Sequence, residues 1–237
     1  GKKMHRAFIS PSLLEAAQVG QDFDLDPETA KRFTRILRLK NGTPVELFDG
    51  TGRVLTGILE ETALKNIQIS HIKSKGPVIR LYQALVSMDK LEQITQHSTE
   101  LGVSEIVLFK SERSQVDFKD KMPAKLERLT RIAQDASRQC GRADVPAVTS
   151  PPGPLSSNWR EGTRLLLPSP LGGEGLGVRF PKLQETGVII GPEGGFSPAE
   201  IQAFISQGAQ EILLAPYVLR TETASLAALA QIQGAFL

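Results

Sequence analysis

The stretch that decides the fold covers residues 187–200 and reads GVIIGPEGGFSPAE. Residues 188–190 are β-branched, too few for a helix and flanked by glycine, which is typical of a strand buried on both faces. Gly194 and Gly195 follow, and glycine tolerates positive φ and the close approach of another backbone or a ligand. The stretch therefore predicts a buried strand that ends in a glycine-rich loop.

A helix is predicted directly after this loop. Ser197 takes the N-cap position, Pro198 the first helical position, and Glu200 completes a capping box with the serine. A strand, a loop and a helix in this order are typical of an α/β domain, and such loops often carry functional sites. The local pattern leaves open whether this loop is a plain turn or binds a ligand.

From residue 78 onwards, predicted strands and helices alternate, which favours an α/β fold with a mostly parallel sheet and helices on both faces. The predicted strands are 79–86, 103–109, 165–167, 188–190 and 212–215, and the predicted helices are 90–101, 124–139, 198–207 and 222–233. Gly102 and Gly208 are predicted to end two of these helices. The Gly/Pro-rich segment 168–181 lacks the alternation and contains no GxGxxG fingerprint, so we expect a surface loop there.

The first 75 residues have a different pattern. Short β-like runs occur there, with turn signals between them, at 45–48, 54–56 and 67–69. Asp49-Gly50 is a hairpin signal, and a helix is predicted over 27–39 with Asp26 as its N-cap. We therefore predict a small β-barrel with one helix as a first domain over 1–75 and a second domain over 76–237.

The composition is that of an ordinary globular protein. The chain has 237 residues, of which 40% are hydrophobic and 23% are charged, and its net charge of +2 permits a nucleic-acid partner. One cysteine and three scattered histidines make an internal disulfide impossible and a metal site unexpected. No segment has the pattern of a signal peptide or reaches the ~20 apolar residues of a membrane span, so we expect a cytoplasmic protein.

A second loop has a distinctive sequence, APYVLRTETASLAAL, at residues 215–229. Its Arg-Thr-Glu-Thr cluster opens a helix of small residues. Both loops follow predicted strands, and we expect them at adjacent strand ends on the carboxyl edge of the sheet, where open α/β sheets bind ligands. The pattern favours a cleft for a flat ligand, with a capped helix and a solvated Arg-Glu pair as the alternative.

The two loops, together with ELGV at 100–103, SERS at 111–114 and RQCGR at 138–142, resemble the RsmE family of 16S ribosomal RNA uracil-N3 methyltransferases. This family belongs to the SPOUT superfamily. The resemblance implies a PUA-like β-barrel over 1–75 and a trefoil-knotted methyltransferase domain over 76–237. It also implies S-adenosylmethionine as cofactor, 16S rRNA of the small ribosomal subunit as partner, and a homodimer. The implied cofactor-binding residues are Leu167, Gly191, Pro192, Glu193, Gly194, Gly195, Leu219, Arg220 and Thr221.

The implied chemistry requires N3 of a uridine to lose its proton. Arg220 is the predicted catalytic residue that stabilises the resulting charge on the uracil oxygens. Glu222 or Glu193 is the predicted base, with a capping or loop-bracing role as the alternative for each. Two rival functions remain at this point: a SPOUT methyltransferase that acts on ribose 2′-hydroxyls, and a non-enzymatic RNA-binding module.

RNA contacts are predicted from a run of basic residues. Arg32, Arg35 and Arg38 recur every third residue, which predicts one basic helix face, with Phe33, Ile36 and Leu37 turned to the core. Residues 1–77 carry a net charge of +3, so the basic excess lies in the small domain. A merely solvated helix face is the alternative. A second candidate set for phosphate contacts is Arg128, Arg131, Arg138 and Arg142, and Arg6 is a further RNA-binding candidate.

Overall fold

The structure is a computed structural model. It describes residues 4–153, 155, 159–160, 162–169, 174–175 and 185–236. The chain divides into two compact units. Unit 1 consists of Gly1–Ser74 and Ser137–Val145, and unit 2 consists of Lys75–Ala136 and Pro146–Leu237. No pattern in the sequence indicates that the segment Ser137–Val145 belongs to unit 1.

Unit 1 is built on a five-stranded sheet with strand order β1-β3-β4-β5-β2. Its strands are His5–Phe8 (β1), Phe23–Asp24 (β2), Pro44–Phe48 (β3), Arg53–Glu60 (β4) and Ala63–His71 (β5). The predicted hairpin is confirmed, because β3 and β4 pair antiparallel and Asp49 Oδ1 accepts a hydrogen bond from the Thr51 backbone at 2.8 Å. Among the described residues no pairing joins β1 to β2, so the observed pairings do not close a barrel.

The helices of unit 1 are short. They are Pro11–Glu15 (α1) and Pro27–Lys31 (α2), and a π-helical turn, Arg32–Ile36, continues α2. Asp26 caps α2 as predicted, because its carboxylate accepts a hydrogen bond from the Thr29 backbone at 3.1 Å. The prediction of one helix over 27–39 is wrong at its carboxyl end. Arg38 lies beyond that end with a φ of 51°, which is left-handed backbone.

This shortened helix also corrects the predicted basic face. A π-turn closes i→i+5 hydrogen bonds, here from Leu37 to Arg32, so residues three apart no longer share a face. Phe33 is fully buried, but Ile36 is 63% exposed and Leu37 is 37% exposed. The prediction that three arginines lie on one helix face above an apolar one is therefore wrong.

Arg6 has a structural role in unit 1. Its guanidinium pairs with Glu46 and donates hydrogen bonds to three backbone carbonyls of the segment Ser137–Val145, at 3.1, 3.3 and 2.8 Å. Arg142, in the same segment, pairs with Asp144 at 2.5 Å. Both guanidinium groups are thus engaged inside unit 1, and their contacts with RNA stay a prediction.

Unit 2 is built on a seven-stranded sheet whose observed pairings are all parallel, in the order β10-β12-β9-β11-β6-β7-β8. Its strands are Ile79–Ala84 (β6), Glu105–Phe109 (β7), Ala147–Thr149 (β8), Arg164–Pro168 (β9), Glu174–Gly175 (β10), Thr186–Ile190 (β11) and Gln210–Leu213 (β12). Every residue of β6 and β11 is buried, which confirms the predicted α/β core with both sheet faces covered.

The helices of unit 2 follow the predicted pattern. They are Met88–Glu100 (α3), Met122–Cys140 (α4), which crosses into unit 1 at its end, Pro198–Ser206 (α5) and Thr221–Phe236 (α6). Gly102 and Gly208 end two of them with φ values of 83° and 92°, as predicted. None of the helices in the described part of the chain is long and apolar enough to cross a membrane.

Two short strands of unit 2 were not predicted. One of them, β10, lies within the segment 168–181, where a surface loop was predicted, and pairs with β12. The loop prediction is therefore wrong for Glu174–Gly175. The other positions of the segment after Ser169 lie outside the described residues. The second unpredicted strand, β8, pairs with β7 at the opposite end of the sheet.

Candidate functional site

A cavity of about 670 Å³ lies at the carboxyl ends of three neighbouring strands of unit 2. The order β12-β9-β11 brings these strand ends together. The two loops singled out in the sequence follow β11 and β12, and both line the cavity. Contrary to the prediction, their strands are not adjacent, because β9 lies between them and adds Leu167, Pro168 and Ser169 to the cavity wall.

The loop after β11 is a tight turn. The Gly195 backbone donates to the Pro192 carbonyl at 2.9 Å, and Gly195 has a φ of +66°, which favours glycine. The predicted capping box is confirmed in full. Ser197 Oγ accepts from the Glu200 backbone at 3.1 Å, while Glu200 Oε2 accepts from the Ser197 backbone at 2.9 Å. The start of α5 thereby fixes the loop at its far end.

The segment 111–114 supports the same loop from outside. The Glu112 backbone donates a hydrogen bond to Glu200 Oε1 at 3.0 Å, so both carboxylate oxygens of Glu200 accept a hydrogen bond. Arg113 donates from Nη1 to the Gly194 carbonyl at 3.1 Å and itself lines the cavity. The motif SERS thus braces the glycine loop.

A buried hydrogen-bond relay joins the two cavity loops. Thr221, the first residue of α6, donates its hydroxyl to the Gly191 carbonyl at 2.7 Å. The same hydroxyl accepts from Gln83 Nε2 at 3.0 Å, and Gln83 is fully buried in β6. Because buried polar groups cost free energy when they lose a partner, this relay fixes the separation of the loops.

Lys90, in the first turn of α3, connects the acidic residues of the two loops. Its Nζ lies 2.9 Å from Glu193 Oε1 and 3.6 Å from Glu222 Oε2. Partial burial raises the pKa of the Glu193 carboxyl, but the hydrogen bond from Lys90, a backbone hydrogen bond and the lysine charge together hold this pKa below its ordinary value of 4.5. Hydrogen bonding to Glu193 is the main cause that raises the pKa of Lys90.

We expect Lys90→Met to weaken cofactor binding by about 2- to 10-fold, the effect of losing one hydrogen bond that positions both loops. The variant should also unfold at a lower temperature than the wild type at pH 7. This difference should shrink as the pH falls below 4.5 and through the lowered pKa of Glu193, because a protonated Glu193 no longer gains from the lysine charge.

The measurement is calorimetry of cofactor binding together with thermal unfolding from pH 3 to pH 8. Lys65→Met is the matched control, because Lys65 forms an exposed pair with Glu60 in unit 1 at 2.8 Å. Equal cofactor affinity in the wild type and in Lys90→Met would show that Lys90 does not position the loops.

The cavity brings together all nine residues that the resemblance implied for cofactor binding. They are Leu167, Gly191, Pro192, Glu193, Gly194, Gly195, Leu219, Arg220 and Thr221. The Arg220 side chain is exposed and forms no ion pair with any described residue. Glu222 does not line the cavity. Its Oε2 is buried and has no hydrogen-bond partner among the described residues.

Sequence reasoning missed three residues of this site: Gln83, Lys90 and Arg113. Gln83 had a visible signal, because it and Arg80 are polar side chains within the mostly apolar predicted strand 79–86. Lys90 had none, because a charged residue at a helix start is usually solvated, whereas Arg113 stood in the motif SERS without an assigned role. Within the described ranges, no group of three or more His, Cys, Asp or Glu residues is arranged to hold a metal ion.

A parallel sheet with glycine-rich loops that form a ligand cavity at its carboxyl edge is the architecture of a nucleotide-type cofactor domain. Residues 74–233 match the model of the RNA methyltransferase domain family, and the chain belongs to this family.

Three relatives match nearly the whole chain. It is 35% identical over 246 residues to the ribosomal RNA small subunit methyltransferase E of Bacillus subtilis, covering 97% of this chain and 96% of that protein. It is 30% identical to the ribosomal RNA small subunit methyltransferase E of Neisseria gonorrhoeae solved with S-adenosyl methionine, with a TM-score of 0.81 and 98% of each chain covered. A Legionella pneumophila protein solved with the bound cofactor SAM is also 30% identical, with a TM-score of 0.83 and 98% coverage of each chain.

Proposed function

We propose that this protein transfers a methyl group from S-adenosylmethionine to N3 of a uridine in 16S rRNA of the small ribosomal subunit. The observation that carries the proposal is the cavity, which gathers every residue implied for the cofactor at one sheet edge. The names of the Bacillus and Neisseria relatives support the rRNA substrate, and the ligands of the Neisseria and Legionella structures support the cofactor.

The cavity suits the cofactor in size and chemistry. Its volume of about 670 Å³ lies within the usual range for ligand pockets. Leu167, Ile189 and Ile201 give it an apolar wall for a flat adenine, and the glycine loop offers backbone polar groups without side chains in the way. When bound, S-adenosylmethionine supplies an activated methyl group on a positively charged sulfur.

Two residues are proposed to act on the acceptor uridine. Arg220 stabilises the negative charge that gathers on the uracil oxygens as N3 loses its proton, because it brings a positive charge to them. Glu222 is the proposed acceptor of that proton, because its Oε2 lies 3.6 Å from Lys90 Nζ and is less tightly held than Glu193 Oε1, which lies at 2.9 Å. Glu193 is the weaker base of the two, since its hydrogen bond to Lys90 and its lowered pKa keep it ionised and engaged.

The organisation of the chain extends the proposal. We propose that residues 1–75 form a PUA-like RNA-binding domain and that 76–237 form a SPOUT domain with a trefoil knot. We also propose that the protein acts as a cytoplasmic homodimer through the helix of small residues at its carboxyl end. The resemblance supports these statements, and light scattering at micromolar concentration tests the dimer, which a monomer mass would contradict.

The transfer itself is tested with small ribosomal subunits from a Bacillus subtilis strain that lacks its 35% identical relative. Incubation with the protein and radiolabelled S-adenosylmethionine is expected to label 16S rRNA. Unlabelled rRNA from an enzyme preparation that binds the cofactor would contradict the proposed activity and would leave the non-enzymatic RNA-binding module as the better account.

RNA binding is proposed to involve the basic residues near the end of α2. Arg35 and Arg38 are exposed, whereas Arg32 is half-buried. Changing all three to alanine is expected to weaken binding to the small subunit and to lower the slope of its salt dependence by up to about 0.9 for each phosphate that is no longer neutralised. Cofactor affinity should stay the same, because the cavity belongs to unit 2.

A filter-binding titration from 50 to 300 mM salt makes this measurement. The matched control is Lys119→Ala with Lys121→Ala, which removes exposed positive charges from unit 2. If the triple variant binds as the wild type does, the basic residues are merely solvated. If the control weakens binding equally, net charge rather than a defined surface attracts the RNA.

A further inference from the structure

Tyr217 is unusual among the aromatic residues of the chain. It is 82% exposed, and its neighbour Val218 is 79% exposed. Every other aromatic residue in the described part of the chain is buried or half-buried. Single exposed apolar residues are common on protein surfaces, so the position of this ring matters more than its exposure.

The ring lies beside the cofactor cavity. Tyr217 lines a second, smaller cavity of about 80 Å³, which we call the side groove. The side groove and the cofactor cavity share five wall residues, namely Pro168, Ser169, Val218, Leu219 and Ala224. The exposed ring is therefore part of a surface that continues directly into the cofactor cavity.

The side groove has the chemistry of a base site rather than a phosphate site. None of its described lining residues carries a charge, and leucine, alanine and proline make up most of its wall. The nearest charged residue along the chain is Arg220, which lines the cofactor cavity instead. An uncharged, flat ligand suits such a groove, and a nucleobase has both properties.

We propose that Tyr217 stacks on the nucleobase of the uridine that accepts the methyl group and holds it at the mouth of the cofactor cavity. This inference rests on the proposed function. A base that is to be methylated on its pairing edge has to leave its RNA stack, and an aromatic ring replaces the stacking it loses. Pro216 precedes the ring and restricts the backbone there, which lowers the cost of presenting it.

The test compares Tyr217→Ala and Tyr217→Leu with Tyr217→Phe in methylation of the unmethylated small subunits described above. Removal of the ring is expected to raise the KM for the subunit by roughly 5- to 100-fold, the range for loss of one base–aromatic stack. Tyr217→Phe keeps the ring and is expected to recover most of the loss. Tyr217→Leu keeps the apolar surface without a flat face and should behave like the alanine variant.

Two controls separate the outcomes. Val78→Ala shortens an apolar side chain that is 40% exposed. Val78 lies just before the amino end of β6, away from the cavity, so this control should not change the KM for the subunit. Calorimetry should show that the Tyr217 variants bind S-adenosylmethionine as the wild type does.

A leucine variant with wild-type kinetics, or an alanine variant with an unchanged KM, would overturn the stacking role. An alanine variant that instead lowers the mass measured by light scattering would assign Tyr217 to a contact with a second copy of the chain and would also overturn it. All of these outcomes are measured against a wild-type enzyme that methylates the subunit. If the proposed function itself is wrong, the wild type methylates nothing, so the two failures can be told apart.

Discussion

Arg220→Ala is expected to slow methyl transfer by about 100- to 1,000-fold at saturating cofactor while RNA still binds. The guanidinium is exposed in the cofactor cavity and forms no ion pair with any described residue, so its charge is available to the acceptor base. The effect should fall on the rate constant for the chemical step, because charge builds up on the uracil oxygens only as N3 is deprotonated. Single-turnover methylation measures this step directly.

Two further variants define the role of Arg220. Arg220→Lys keeps the charge but loses the planar fork of donors, and it should recover only part of the rate. Arg160→Ala removes another exposed arginine of unit 2 that does not line the cavity, and it should methylate as the wild type does. A near wild-type rate in Arg220→Ala would remove Arg220 from the mechanism. If Arg220→Ala lowers only the affinity for RNA and leaves the rate of methyl transfer unchanged, Arg220 is an RNA-binding residue and not a catalytic one.

Gly194→Val is expected to lower cofactor affinity by roughly 100-fold, because the added isopropyl group has to occupy the cavity or displace Arg113. A Cβ atom at Gly194 would lie 3.4 Å from the Arg113 Cβ, an ordinary contact, and Gly194 does not have a positive φ. The fold should therefore tolerate the change, and thermal unfolding without cofactor checks this.

Gly194→Ala is the graded control, because it adds the Cβ alone and should keep most of the affinity. Calorimetric titration with S-adenosylmethionine compares the three proteins. If the valine variant folds and binds the cofactor as tightly as the wild type does, the ligand does not contact the glycine loop, and its placement in this cavity is wrong.

Local rules predicted the parts of the site that depend on neighbours in sequence. Ser197, Pro198 and Glu200 specify a helix start through their own hydrogen bonds, and the structure contains each of those bonds. The same holds for Asp26 at α2 and for the two glycines that end α3 and α5. The alternation of apolar runs and amphipathic segments was likewise sufficient to predict the parallel sheet of unit 2.

Local rules could not predict which strands and side chains pair when they are far apart in the sequence. The position of β9 between β11 and β12 depends on strand order, which hydrophobic patterning does not encode, so the loops were wrongly expected at adjacent strand ends. Gln83 and Thr221 are 138 positions apart, and only the fold reveals that they share a hydrogen bond. Arg6 illustrates the same limit, since its hydrogen bonds to the segment Ser137–Val145, more than 130 positions away, could not be read from the sequence.

The prediction of one basic helix face with Arg32 and Arg35 failed for a different reason. The spacing of its arginines fits an α-helix, but the backbone adopts a π-turn and then leaves the helix at Arg38. A π-turn adds about one residue to a helical turn, which changes the direction of the side chains that follow it. Residue spacing therefore overstated how well these arginines are aligned.

The most direct test of the central claim is to identify the modified atom in rRNA. Small subunits that lack the modification are incubated with the protein and S-adenosylmethionine, and the nucleosides of the digested 16S rRNA are separated and analysed by mass spectrometry against synthetic standards. The account predicts 3-methyluridine at a single position, absent from reactions with Arg220→Ala over the same time. A methyl group on a ribose 2′-hydroxyl, or on any base atom other than N3 of uridine, would contradict it.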